Sequence, residues 1–185
     1  MHIYPIVGID PGTNAAGVAL VHYDIDAQCV THLELSTIRE DALYIPQLDD
    51  ALESHGARFR RAQAMSEAIS EWVLARMPCA VVCESPFYYR MQPSAFAPLV
   101  EVLYAIRARL YEAAPTLVMH TLEPILIKKL ATGYAFAKKD KVLSALLTHP
   151  LLAQVASILA DASEHAIDAT AVAIAWIMQH KETWQ

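Results

Sequence analysis

Three short runs rich in apolar and β-branched residues open the chain: IYPIVGID (3–10), GVALVHYD (17–24) and CVTHLELS (29–36). Each reads as a strand. Parallel neighbours need a crossover of about a dozen residues or more. The links here are shorter, so the three strands are expected to run antiparallel in series. Asp10-Pro11-Gly12 breaks the first run, and Asp24-Ile25-Asp26-Ala27 suits a hairpin loop between the second and third.

The rest of the chain alternates. Residues 37–56 are polar and read as an ordered irregular loop. A helical pattern runs from about Ala57 to Met77 and is stopped by Pro78. CAVVCE (79–84) is short and apolar without alternation, as expected of a central strand buried on both faces. Ser94 is placed to cap a helix reaching about Ala114, before Pro115, and TLVMHT (116–121) reads as a strand. Residues 123–132 and 138–148 read as two short helices split by Thr132-Gly133-Tyr134, and a last helix runs from about Asp161 to His180. The order β-β-β-α-β-α-β-α-α-α predicts an α/β fold, a five-stranded mixed sheet flanked by helices. No repeat or low-complexity linker divides the 185 residues, so a single domain is expected.

Composition narrows the class. An apolar fraction of 55% with 18% charged residues excludes a disordered chain. No apolar stretch is long enough to span a membrane, and MHIYPIVGID carries neither a basic start nor a cleavage signature. Cys29, Cys79 and Cys83 are odd in number and lack CxxC spacing, which predicts free thiols in a reducing compartment, the cytoplasm. The net charge of −6 is unevenly spread. Residues 1–56 hold nine acids against Arg39, whereas residues 57–185 hold thirteen bases against eleven acids. Lys128, Lys129, Lys138, Lys139 and Lys141 face only Asp140 within residues 128–141, a patch that suits phosphate or, more plainly, a solvated loop and helix start.

Three carboxylates stand out. Asp10 ends the first strand, Glu84 ends the fourth, and Asp168 lies on the alanine-rich last helix. A carboxylate where a buried apolar strand stops is costly unless something pairs with it. Two on neighbouring strands would repel each other, and a divalent cation, Mg²⁺ or Mn²⁺, removes that cost. His165 lies three before Asp168 on the same helix face and would complete a cluster of three carboxylates and one imidazole; an imidazole fits Mn²⁺ at least as well as Mg²⁺. Each residue also has a plainer reading: Asp10 as a turn former, Glu84 paired with Arg90, Asp168 with a lysine, His165 as a partly exposed side chain.

GIDPGTNAAGVAL, VVCES and EHAIDATAVAIA, in this order and over nearly the whole chain, resemble the RuvC-type Holliday-junction resolvases of the RNase H-like superfamily. LIKKLATGYAFAKKDKV resembles the basic segment of that family, with Lys128 five before Gly133 and Lys139 six after it. The resemblance implies an RNase H-like (RuvC-like) domain that binds two Mg²⁺ or Mn²⁺ ions and resolves four-way DNA junctions. Paired nicks would leave 5′-phosphate and 3′-hydroxyl ends, in recombination, repair or debranching. It places Asp10, Glu84 and Asp168 in the metal-binding carboxylate positions. His165 falls where many members carry a fourth aspartate and some a histidine; Glu164 and Asp161 rank behind it. Lys128 and Lys139 would hold backbone phosphates, Lys128 as part of the catalytic set, with Lys129, Lys138 and Lys141 beside them. Phe87 falls where the family places an aromatic that stacks at the branch point, and Tyr88 and Arg90 follow it. Arg58, Arg60 and Arg61 open the first long helix and would meet a DNA arm, or are simply a solvated helix start. The symmetry of a four-way junction calls for a C2 homodimer. The helix at about 94–114 keeps Leu99, Val102, Leu103, Ile106 and Leu110 for the core and leaves Phe96, Tyr104 and Tyr111 for another surface. The Lys-poor first third and His165 point to a divergent member, such as a phage-encoded copy. The alternative reading is an RNase H-like nuclease of the YqgF type acting on ribosomal RNA precursors.

Overall fold

The computed structural model describes residues 2–43, 49–87 and 93–184; Tyr88 and Arg90, two of the expected DNA contacts, lie outside the described residues. Strand β1 (Ile3–Asp10) pairs antiparallel with β2 (Ala15–Asp24), which pairs antiparallel with β3 (Cys29–Arg39). Helix α1 (Asp49–Leu74) leads to β4 (Ala80–Glu84), and α2 (Pro93–Ala113) leads to β5 (Met119–Leu122). Both crossovers return the chain parallel, β4 beside β1 and β5 beside β4. The sheet order is therefore β3-β2-β1-β4-β5, the expected five-stranded mixed sheet. Helices α3 (Pro124–Thr132), α4 (Lys139–Leu147) and α5 (Glu164–His180) complete the chain, with 3-10 turns at Glu40–Ala42, Pro150–Leu152 and Ala156–Leu159.

Each face of the sheet buries its own core. On one face Ile6, Val21, Tyr23 and Val82 pack under α3, α4 and α5 through Ile127, Leu146, Val172 and Ile174. On the other, Val7, Ile9, Leu20, Val81 and Cys83 pack under α1 and α2 through Met65, Ile69, Val102, Ile106 and Leu110. The strand interiors are buried on both sides, which is why β4 shows no alternation of polarity. All three cysteines are free. Among the described residues no helix is long and apolar enough to cross a membrane.

Several stretches differ from expectation: β5 starts at Met119 rather than at residue 116, and α1 ends at Leu74 rather than near Met77. Residues 37–56 are not one irregular loop: β3 runs on to Arg39, pairing Thr37 with Gly17 and Arg39 with Ala15. Helical structure then begins at Asp49 and breaks at Gly56, whose φ of 82° is left-handed, so the expected helix from Ala57 is the second, straight part of α1. The last helix starts at Glu164 rather than Asp161 because Ser163 caps it, its hydroxyl accepting from Ala166 N at 3.2 Å.

Candidate active site

Strand periodicity decides which way the carboxylates point. Asp10 keeps the parity of Ile6, and Glu84 keeps that of Val82, so both belong to the α5 side of the sheet. The parallel register sets Ile9 opposite Cys83, which brings the two carboxylates to adjacent strand ends. This is the carboxyl edge of the parallel strands, where open α/β sheets take their ligands.

Helix α5 comes unusually close to the sheet at this edge. A Cβ on Gly17 would lie 1.8 Å from the His165 carbonyl oxygen, and one on Gly8 would lie 2.2 Å from that of Ala169. Only glycine on the strands, facing Ala166, Ala169 and Ala173 on the helix, allows this approach. Residues His165 and Asp168 are thereby delivered over Asp10. The His165 Nδ1 and Asp10 Oδ2 lie 2.9 Å apart, which leaves Nε2 as the ring nitrogen free for a proton or a cation.

The electrostatics tie the cluster together. Burial, then the charges of Asp10 and Asp168, push the Glu84 carboxyl up to about 7, against the pull of Lys128 and Lys139. Burial and Asp10 likewise raise Asp168. Burial also raises Asp10, although the hydrogen bond from His165 works the other way. Three carboxylates each made harder to ionise, Glu84 and Asp168 in part by the charge of Asp10, form a hard-oxygen donor set of the kind a divalent cation stabilises. The donor chemistry fits such an ion. Among the described residues no three His, Cys, Asp or Glu side chains already converge closely enough to grip one.

The lysines divide into two groups. Lys128 on α3 acts on Glu84 and Asp168, and Lys139 at the start of α4 acts on all three carboxylates. Lys139 also forms an ion pair with Glu164, which makes Glu164 a lysine partner rather than a fourth carboxylate of the cluster. Asp161 is exposed, outside α5, in a groove with Thr37 and Ser163. Lys129, Lys138 and Lys141 are exposed on the same segment. Phe87, three past Glu84, is 53% exposed. Of the arginines that open the first long helix, Arg58 makes a two-pronged pair with Glu101 at 2.6 and 2.7 Å, and Arg60 binds Glu40 at 2.8 Å. Sequence reasoning missed Gly8, Gly17 and Ser163. Their signal was small residues facing an alanine-rich helix, and a Ser three before a buried Ala.

A Thermus thermophilus RuvC structure in complex with a Holliday junction substrate superimposes with a TM-score of 0.70 at 22% identity, covering 98% of this chain and 97% of that one. The fold is that of the RuvC resolvases. A second structure of T. thermophilus RuvC gives a TM-score of 0.67 at 20% identity over 97% and 96% of the two chains. The yeast mitochondrial Holliday junction resolvase Ydc2 gives 0.65 at 12% identity over 99% and 83%. No family model and no curated protein matches the sequence. The RuvC-like likeness is thus carried by topology rather than by residue identity, and it spans the whole sheet and the helices on both of its faces.

Proposed function

We propose that this chain is a single RNase H-like domain that works as a divalent-metal-dependent endodeoxyribonuclease and resolves four-way DNA junctions by paired, symmetric nicks. The observation that carries this reading is that Asp10 and Glu84 end adjacent strands at the carboxyl edge of a resolvase-like sheet, within electrostatic reach of Asp168, with His165 bound to Asp10. Asp10, Glu84, Asp168 and His165 would hold Mg²⁺ or Mn²⁺. The chemistry supplied by two such ions, when bound, is activation of water and neutralisation of the leaving oxygen, giving 5′-phosphate and 3′-hydroxyl ends. Lys128 and Lys139 hold the phosphates on either side of the scissile bond, and Lys129, Lys138 and Lys141 extend that grip along the backbone. Phe87 stacks on a base opened at the branch point.

Two nicks placed symmetrically need two sites on a matching axis, so the working form is a homodimer. Helix α2 supports this. Val102, Ile106 and Leu110 are buried, while Tyr104 and Tyr111, 72% and 67% exposed, leave a second face uncovered. The setting is recombination, repair or debranching of DNA in the cytoplasm.

The test uses a labelled synthetic four-way junction and a linear duplex of the same sequence, with Mg²⁺, with Mn²⁺ and with chelator. Symmetric, ligatable, metal-dependent nicks in the junction alone are expected. Asp10→Asn should abolish them and leave junction binding intact; unchanged cutting would remove Asp10 from the site. Cutting of structured RNA in place of DNA would move the assignment to a nuclease of ribosomal RNA precursors.

A further inference from the structure

The loop between α3 and α4 holds two aromatic rings out in water. Tyr134 is 62% exposed and Phe136 70%, and they meet edge to face with ring centres 6.1 Å apart. The loop itself is well tied down. Gly133, left-handed at φ 79°, closes α3 by donating its N–H to Lys129 O at 2.9 Å. The Thr132 hydroxyl donates to Lys128 O at 2.7 Å and accepts from Tyr134 N at 3.1 Å. Ala137 N donates to Tyr134 O at 3.2 Å, and Ala137 is itself buried. A pinned backbone that presents large apolar rings to solvent does nothing for the core of the fold. It is already organised to receive a flat partner.

The surroundings define that partner. Lys128 and Lys129 precede the rings and Lys138, Lys139 and Lys141 follow them. Two of these lysines, Lys128 and Lys139, act electrostatically on the carboxylate cluster. The ligand must therefore offer apolar flat faces joined by negative charge, and must reach the carboxylates. Unstacked nucleobases on their phosphate backbone have this chemistry. Phe87 lies on the β4 side of the cluster, whereas Tyr134 and Phe136 belong to the α3–α4 side.

Resting on the nuclease reading above, we propose that Tyr134 and Phe136 form a second stacking platform. It holds a base unpaired near the branch point while Lys128 and Lys139 hold the adjoining phosphates. The platform adds affinity for opened strands over continuous duplex and contributes nothing to the charge-driven part of binding.

The experiment is a binding titration in an Asp10→Asn background, over a salt series, with a four-way junction, a linear duplex and single-stranded oligo(dT) as probes. Replacing both rings (Tyr134→Ala with Phe136→Ala) is expected to weaken junction and oligo(dT) binding about 10- to 100-fold, with duplex affinity and the slope against salt unchanged. Lys128→Ala with Lys139→Ala should instead flatten the slope. Phe136→Trp should restore binding, and its fluorescence should be quenched by the junction and by oligo(dT) but not by duplex. Both rings are exposed, so unchanged thermal melting excludes misfolding. The platform is overturned if the ring-deleted protein binds junction and oligo(dT) within twofold of its parent, or loses duplex affinity equally. It is also overturned if the deletion changes only the sedimentation of the free protein, since the rings would then cover a second copy. A parent that binds oligo(dT) through the rings but ignores the junction would sink the resolvase reading and leave the platform standing.

Discussion

Glu84 bears the strain of the cluster. Its carboxyl is pushed from an ordinary 4.5 to about 7, first by burial and then by Asp10 and Asp168. Between those two values the native protein keeps a proton that the unfolded chain releases. Stability therefore falls as pH rises through this window, and the full penalty applies above it. Every tenfold change in proton affinity corresponds to about 1.4 kcal/mol, so roughly 1–3 kcal/mol is at stake at this one side chain. In chelator, Glu84→Gln should melt higher than the wild type at pH 8 and nearly with it at pH 4.5. Calorimetry at the two values checks this, and an equal gain at both would mean that packing rather than charge is responsible. Added Mg²⁺ or Mn²⁺ should stabilise the wild type at pH 8, because a ligand bound only by the native state raises its melting temperature. The same ions should do much less for Glu84→Gln. Which carboxylates to combine was legible in the sequence, since Asp10 and Glu84 both stop apolar runs. The bond between His165 and Asp10 was not, because no pattern in the sequence says which ring nitrogen faces which oxygen.

At the scale of elements, the approach of α5 to the sheet is the feature most exposed to a single atom. Gly17→Ala sets a methyl where the His165 carbonyl stands, and both partners are backbone, so nothing flexible can give way. The expected cost is about 1–3 kcal/mol with cutting lost together with stability. Denaturant melts and the junction assay together test it; a folded, fully active Gly17→Ala protein would show that α5 tolerates being lifted. The elements themselves were largely legible: β1 ends where Asp10-Pro11-Gly12 must break it, and β4 and the α3–α4 break fall where the sequence puts them. The miss at residues 37–39 has a plain cause. Thr37 and Arg39 are polar, and they extend β3 through backbone pairing with Gly17 and Ala15 rather than through burial. The Ser163 cap was missed because the helix was expected to start at Asp161, an equally ordinary N-terminal residue.

For the whole molecule, the acidic total conceals a division of labour. Arg58 and Arg60 pair with Glu101 and Glu40, while Lys128 on α3 and Lys139 on α4 act on the carboxylates. The uncovered face of α2 makes a further prediction at this scale. Tyr104→Arg with Tyr111→Arg should convert a dimer to a monomer in sedimentation and turn paired junction nicks into single ones. A variant that still sediments as a dimer would place the interface elsewhere. The cluster also has a history within each molecule. Asp10 and His165 touch across 155 residues of chain, and ribosomes add roughly 5–20 residues each second. The first carboxylate therefore waits roughly 8–30 seconds for its partners on α5 to be made. A nascent chain carries Asp10 and then Glu84 as isolated acids, and the site comes into being only as the last helix settles onto Gly8 and Gly17.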